Sequence, residues 1–175
     1  NSFASEVIVS GSVAFPVVSP DGSEVAWRQM DGVKQAIDVM RRAGRARRRV
    51  CADCGAPEEW AADGRGIFYH TGDALARIGV VDIATGNSHD WIQHPDFSVL
   101  GPRLYVAPGR EPWVVFFAEN TPRTRQIFAV PASNRNVSPP PDKWIPITDG
   151  TSWDSAPVWS PDGNTIYFVS QRDGH

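Results

Sequence analysis

Two widely separated stretches of the chain carry the same alternation of apolar and polar positions after the same tight turn. Residues 16–27 read PVVSPDGSEVAW, and residues 157–174 read PVWSPDGNTIYFVSQRDG. In Ser-Pro-Asp-Gly the proline presets φ for a type I turn, Asp can bond back to its own backbone, and Gly supplies a positive φ. The β-branched and aromatic residues that follow are typical of a half-buried strand. Each copy therefore predicts a β-hairpin.

Two weaker copies lie between these hairpins. PEEWAADGRGIFYHTG at 57–72 keeps the Asp-Gly pair, and PRLYVAPGREPWVVFFAE at 102–119 keeps one glycine. The predicted turn residues of the four units are Asp21, Gly22, Asp63, Gly64, Gly109, Asp162 and Gly163. The four glycines lie 42, 45 and 54 residues apart, and each follows a proline by six or seven residues. Repeats of this length are typical of β-propeller blades.

A blade needs two more strands after each hairpin, and apolar runs of suitable length are present. They lie at 36–40, 49–51, 78–83, 89–93, 126–130 and 143–148. No segment shows a sustained helical period of apolar residues. The predicted fold class is all-β: a β-propeller of consecutive four-stranded antiparallel blades, about three whole and two partial.

The predicted unit boundaries divide the chain into five pieces. Residues 1–12 would hold the last strand of a preceding blade, at Glu6–Val9; 13–55, 56–100 and 101–154 would be blades; and 155–175 would be the first hairpin of a truncated blade. Because closed propellers use four to eight blades, we expect the chain to be part of a larger propeller. The open blade ends predict association, such as a homodimer, and the alternative is a small closed ring.

The quoted motifs resemble the repeat of TolB-like propellers, whose WD-like bacterial blades follow approximately Pro-x-Trp-Ser-Pro-Asp-Gly-x-x-Ile-x-Phe-x-Ser-x-Arg-Asp-Gly. The match is close at 16–27 and 157–174 and weaker between them, where Ala61-Ala62 replace Ser-Pro. The resemblance implies a bacterial module that binds protein partners in the periplasm. Similar repeats also occur beside bacterial kinases and transcriptional regulators, and similar propellers gate prolyl-oligopeptidase-like peptidases.

The resemblance therefore implies a non-catalytic module for protein–protein interaction or ligand sensing within a larger bacterial protein. The alternative is an accessory, gating propeller of a prolyl-oligopeptidase-like hydrolase. We expect a protein partner, whose identity a fold does not give. The compartment stays open, because attachment to a kinase or regulator would imply a cytoplasmic or membrane-anchored protein instead. The flanking sequence of the full-length gene would discriminate these alternatives.

Composition narrows the range of partners. The 175 residues include 15 Gly, 15 Pro and seven Trp, which suits many short strands and tight turns. A net charge of −3 gives no general attraction to nucleic acid. No stretch approaches the ~20 apolar residues of a membrane span. We therefore expect neither a nucleic-acid partner nor a membrane span.

One basic run stands against this acidic balance. It contains six arginines, Arg41, Arg42, Arg45, Arg47, Arg48 and Arg49. Such a run can form a patch for phosphate or for an acidic partner. No aromatic residue is interleaved to stack on bases, so we expect a solvated turn between two strands of the first blade.

No catalytic or cofactor motif is present. Cys51 and Cys54 form a Cys-x-x-Cys pair, but a structural zinc site needs a second pair, so we expect two thiols or a local disulfide. His89-Asp90 and His94 with Asp96 could bind a cation, yet solvated side chains are the expected state. A nucleophile elbow and a phosphate-binding loop are both missing. We expect no catalytic, metal or cofactor residues, and we expect Trp60, Trp113 and Trp159 to pack between blades.

Overall fold

The computed structural model describes residues 7–72, 75–105, 111–121 and 123–172. Within these ranges the strands form four antiparallel sheets that follow one another along the chain, three of four strands and one of two. The helical structure in the same ranges is a single 3-10 turn at Pro141–Lys143. The predicted fold class is confirmed: the chain forms consecutive propeller blades.

Each blade is built from strands in chain order, with every strand paired to the next. Blade 1 contains β1 (Val13–Val18), β2 (Glu24–Asp31), β3 (Lys34–Arg41) and β4 (Arg47–Cys51). Blade 2 contains β5 (Ala56–Trp60), β6 (Gly66–His70), β7 (Ile78–Asp82) and β8 (Ser88–Ile92). Blade 3 contains β9 (Ser98–Tyr105), β10 (Trp113–Thr121), β11 (Thr124–Pro131) and β12 (Ile145–Pro146). The last sheet contains β13 (Asp154–Trp159) and β14 (Ile166–Ser170).

The first strands of neighbouring blades lie side by side, since β1 contacts β5, β5 contacts β9 and β9 contacts β13. Apolar side chains fill the spaces between the blades. Trp60 is 1% exposed and belongs to a cluster that joins blades 1 and 2. Its Nε1 donates to the backbone oxygen of Val17 at 3.2 Å. Trp159 makes the corresponding bond from the last sheet to Arg103 of blade 3, also at 3.2 Å. Both tryptophans pack between blades, as the sequence predicts.

The two Ser-Pro-Asp-Gly turns have the same hydrogen bonds. In the first, the Ser19 hydroxyl donates to Asp21 at 2.7 Å and accepts from the Glu24 amide at 2.9 Å. Gly22 adopts φ 71° and donates to the Ser19 oxygen. The bond from Ser19, together with bonds from the amide and the hydroxyl of Ser23, lowers the pKa of the Asp21 carboxylate to about 2. The hydrogen bonds that define this turn are thus made among residues 19–24 themselves.

The turn of the last sheet has the same serine hydrogen bonds as the first turn, and the weaker copy in blade 2 keeps only some of them. Ser160 donates to Asp162 at 2.6 Å and accepts from Thr165 at 3.0 Å. In blade 2, Asp63 still accepts from the Arg65 amide at 2.9 Å, but Ala61 has no hydroxyl to offer. Gly64 and Gly163 have φ of 66° and 68°. Gly109 lies outside the described residues.

Two predicted strands differ from the structure. Of the predicted strand Glu6–Val9, residue 6 lies outside the described ranges, and residues 7–10 are not in a strand. The predicted strand at 143–148 is reduced to Ile145–Pro146, because it follows a 3-10 turn and Pro146 cannot donate to a ladder. In both segments the residue types favour a strand, but the predicted strand is absent or shortened in the part of the chain that the structure describes.

The turn hydroxyls give a matched pair of substitutions. Ser19→Ala removes a bond to Asp21 and leaves the Glu24 amide without its acceptor, so we expect a loss of about 1 to 2 kcal/mol in the free energy of unfolding. Ala61→Ser supplies the missing hydroxyl in blade 2 and should add about 0.5 to 1 kcal/mol. Urea unfolding measures both. Equal and small effects of the two substitutions would contradict a stabilising role for the hydroxyl.

Candidate functional site

The first strand of each blade breaks register with the second strand at a similar position. In three blades two residues oppose a single one, and the pairs are Phe15-Pro16, Gly101-Pro102 and Ala156-Pro157. The first residue of each pair has a positive φ, of 55°, 61° and 51° respectively. In blade 2 the extra residue is Glu58. A β-bulge bends its strand and re-aims side chains, so the four bulges form one repeated structural feature.

The four bulges border one cavity of about 550 Å³, which we call the axial cavity. Strands β1, β5, β9 and β13 all contribute to it, so it lies where the blades converge. Its lining consists of Phe15, Glu58, His70, Leu100, Gly101, Arg103, Phe117, Arg125, Ser155, Ala156, Pro157 and Val158. A largely apolar cavity of this size with a few polar groups is typical of a binding site.

A charged network crosses from blade 2 to blade 3 on one wall of the axial cavity. His70 Nδ1 lies 2.7 Å from Glu58 Oε1, and Arg103 donates to Glu58 Oε2 at 3.0 Å. Burial raises the pKa of Glu58, but the hydrogen bonds from His70 and Arg103 and their charges outweigh burial. The net effect holds this pKa below its ordinary value of 4.5. Glu58 is therefore an ionised side chain held by two partners.

Two phenyl rings on the cavity wall are each covered by an arginine of the same blade. The Arg28 guanidinium lies 4.6 Å from the Phe15 ring centre, and the Arg125 guanidinium lies 4.6 Å from that of Phe117. Arg125 also stacks on Trp153 at 3.7 Å and pairs with Glu119 at 2.7 Å. These cation–π contacts fix the orientation of both rings.

Glycine is required at one of the bulges. A Cβ on Gly101 would lie 2.7 Å from the Phe117 ring, and the φ of 61° at this residue is left-handed. A larger residue here would displace Phe117 from its position beside the cavity. The same bulge position in blade 1 nevertheless holds Phe15, whose large side chain tolerates this backbone conformation poorly.

Sequence reasoning did not predict any residue of the axial cavity. The cavity combines side chains from strands that lie more than 40 residues apart, and no local motif marks them. The available signal was the proline of each unit, because a proline inside a strand removes a ladder donor and marks a bulge or an edge. The residue before three of these prolines faces the cavity.

The arginine run lies on blade 1 and is largely engaged by acceptors of the protein itself. Asp38, which is 1% exposed, accepts from Arg47 Nε at 3.1 Å and from Arg49 Nε at 3.0 Å. Arg48 donates to the backbone oxygen of Ile83 in blade 2 at 2.6 Å. Arg41 pairs with Glu24, Arg42 donates to Gly22, and Arg45 lies in the turn with φ 51°. The phosphate patch stays an untested alternative to the expected solvated turn, and these contacts favour a structural role.

The remaining candidates have structural contacts. Cys51 and Cys54 form a disulfide at the connection between blades 1 and 2, with Cα atoms 5.9 Å apart. His94 stacks on Phe97 with ring centres 3.9 Å apart, and His89 Nε2 lies 3.0 Å from the Arg135 oxygen. In the described part of the chain, no three His, Cys, Asp or Glu side chains converge as around a metal ion. No helix among the same residues has the length and apolar character needed to cross a membrane.

The ion pairs of the arginine run generate one prediction. Arg49→Gln removes charge-assisted bonds to Asp38 and Asp31 and should lower the free energy of unfolding by about 1 to 3 kcal/mol. Arg42→Gln is the control, because its exposed side chain donates only to Gly22 among the contacts found, and it should change stability by less than about 0.5 kcal/mol. Chemical unfolding measures both. Equal effects would argue against a structural role for Arg49.

The network of Glu58 generates a prediction about pH. A carboxylate whose pKa is lower in the folded than in the unfolded state stabilises the fold above its ordinary pKa, and this contribution is lost as pH falls through the folded value. Near neutral pH, Glu58→Gln should therefore cost about 1 to 3 kcal/mol. The difference from the parent should shrink as the pH falls below 4.5, the ordinary pKa of this group. Glu111→Gln, at an exposed position, is the control; a difference that does not change with pH would contradict the assignment.

Comparisons with known proteins identify the fold. No protein-family model matches the chain, and no curated protein matches it. Among solved structures, TolB from Acinetobacter baumannii superposes with a TM-score of 0.72 at 16% identity, over 96% of this chain and 40% of that protein. A protein of Agrobacterium tumefaciens assigned as TolB gives a TM-score of 0.69 at 25% identity, over 92% of this chain and 56% of that protein.

Two structures of enzymes are also similar, with lower TM-scores. A structure from a study of two prolyl endopeptidases has a TM-score of 0.57 at 13% identity and is covered over 22% of its length. An oligogalacturonate lyase in complex with manganese has a TM-score of 0.58 at 10% identity and is covered over 49% of its length. The chain thus has a TolB-like propeller fold, and it spans less than two thirds of the length of each of these four structures.

Proposed function

We propose that this chain is a non-catalytic propeller module that binds an extended segment of a protein partner in the axial cavity. The observation that carries the proposal is the convergence of four bulged inner strands on one cavity of about 550 Å³. This volume accommodates one or two side chains of a peptide rather than a folded domain, since typical small-ligand pockets have about 300 to 1,000 Å³. The bound segment would insert side chains between the blades.

The chemistry of the cavity supports binding rather than turnover. A general acid or base works best with a pKa near the working pH. The pKa of Glu58 is displaced in the opposite direction, below 4.5, because His70 and Arg103 stabilise its charged form. Arg103 occupies the second oxygen of this carboxylate at 3.0 Å. Glu58 is therefore suited to holding a wall of the cavity and poorly suited to proton transfer.

The gating role in a prolyl-oligopeptidase-like hydrolase is less well supported. A gate would let peptides pass through the propeller, which requires lining side chains that can move aside. Arg103 is held by Glu58, and Arg125 is held by Glu119 and stacked on Phe117 and Trp153. The walls are thus fixed by ion pairs and stacking, and fixed walls favour retention of a bound segment.

Association of two copies stays a prediction. The last sheet exposes Val158, Tyr167 and Val169 by 45%, 61% and 59%. Strand β14 pairs with β13 alone in the described part of the chain. An apolar sheet with an open edge is a surface on which another strand can pair. Light scattering at micromolar concentrations would show a mass above the 19.2 kDa of one chain if two copies associate.

A peptide selection tests the proposed binding site. Random linear peptides selected on the chain should bind a Val33→Trp variant as tightly as the parent, because Val33 is an exposed residue at a hairpin tip away from the axial cavity. They should bind a Val158→Trp variant at least about tenfold more weakly, because the indole should fill part of the cavity. Val158 is 45% exposed, so we expect the larger side chain to leave the core packing intact. Fluorescence anisotropy measures both affinities, and equal binding to the two variants would refute the site.

A further inference from the structure

Phe15 is the exception among the residues at the bulge positions. Blade 3 and the last sheet have the small residues Gly101 and Ala156 there, whereas blade 1 has a phenylalanine with φ 55°. This backbone conformation is unfavourable for a large side chain. The ring is 44% exposed, so burial in the core does not offset the unfavourable conformation. Strained residues of this kind are concentrated at functional sites.

The surroundings of Phe15 hold its ring in a defined orientation. Arg28 covers one face at 4.6 Å, and His70 meets the ring edge-on, with centres 6.1 Å apart and planes at 87°. Phe117, on the wall that blade 3 contributes, is covered in the same way by Arg125. A partly exposed aromatic ring in a fixed orientation can pair with another aromatic ring, in an offset or edge-to-face arrangement.

A polar acceptor lies on the same cavity wall. Glu58 is ionised, and its carboxylate borders the axial cavity beside His70. The contacts with His70 and Arg103 use one site on each oxygen, and a carboxylate has roughly four lone-pair sites, so it can still accept from a bound group. A phenol or an indole carries one donor on an otherwise apolar ring and needs such an acceptor when it is buried. The other lining side chains, Leu100, Pro157 and Val158, are aliphatic and would contact the rest of the ring.

We propose that the axial cavity binds an aromatic side chain with a polar edge, tyrosine or tryptophan, and that Phe15 is the residue that determines this specificity. The proposal rests on the proposed function, because the side chain belongs to the segment bound in the same cavity. Phe117 provides the second aromatic wall. Three bulges have a residue that precedes a proline, and in blade 1 this residue is a phenylalanine. Its phenyl ring is held there although the backbone φ is unfavourable for a large side chain.

The probes for this site are N-acetyl-tyrosinamide and N-acetyl-tryptophanamide, with N-acetyl-cyclohexylalaninamide as the saturated control. Titrations followed by NMR should show that the aromatic amides bind the chain and that the cyclohexyl amide binds more weakly. Phe15→Leu keeps an apolar side chain but removes the aromatic ring, so the aromatic amides should bind it about three- to tenfold more weakly.

Two further variants separate binding from folding. Phe15→Gly removes the ring and relieves the left-handed strain, so it should weaken binding as Phe15→Leu does while its unfolding temperature stays within a few degrees of the parent. Arg45→Gly relieves comparable strain, at φ 51°, in a turn outside the cavity, and it should not change binding of the amides. A ring needed for the fold would instead give a large drop in unfolding temperature for Phe15→Gly.

The outcomes are distinct for the two proposals. Failure of both aromatic amides to bind, equal binding of the cyclohexyl amide, or unchanged binding by Phe15→Leu overturns the role of Phe15. If selected peptides still lose affinity on Val158→Trp, the axial cavity remains a binding site and only its aromatic specificity is wrong. If they do not, the proposed function fails, whatever the amides do.

Discussion

A proline in the first strand of each blade is the constraint on which the rest of the structure depends. Proline has no amide hydrogen and cannot donate to a ladder, so a strand that contains one must have an edge or a bulge there. At Pro16, Pro102 and Pro157 the result is a bulge whose preceding residue has a positive φ. The bulges lie in the inner strands where the blades converge, and all four of them line the axial cavity.

The blades themselves are joined mainly by side chains. Among the described residues, backbone ladders run within each blade, and the strands of neighbouring blades pack without sharing one, apart from a single bridge between Arg125 and Trp153. Tryptophan and arginine side chains connect the units by donating to backbone oxygens of the adjacent blade. Trp60 donates to Val17, Trp91 to Val137 and Arg48 to Ile83. Each blade is therefore stabilised by its neighbours, as in other repeat proteins.

The hairpins could be predicted because their chemistry is local. Ser19, Asp21 and Gly22 lie within four residues of one another and form the turn by themselves. The fourth strand of blade 3 was predicted too long, because apolar residues at 143–148 suggested a strand where Pro146 limits pairing. The arginine run was predicted as a solvated turn. The alternation of Arg47 and Arg49 along a strand places both on one face, which is how they reach Asp38, and this period of two was available in the sequence.

The axial cavity could not be predicted in the same way, because it depends on which residues meet across blades. Glu58, Arg103 and Phe15 come from three different blades, and their encounter is set by the packing of β1, β5 and β9. A single sequence gives the positions of the strands but not the side chains that face the axis. The repeat period nevertheless limits the search, because equivalent bulge positions in each blade point to the same region. A residue that departs from its equivalents there, as Phe15 departs from Gly101 and Ala156, is not explained by the repeat architecture that it shares with them. The ring contacts Arg28 and His70, but it is not buried, and the bulge also forms with a small residue at the equivalent position. The proposed aromatic ligand would account for this departure, so the exposed ring, rather than the ion pairs that surround it, is the feature of the cavity on which the proposal depends most directly.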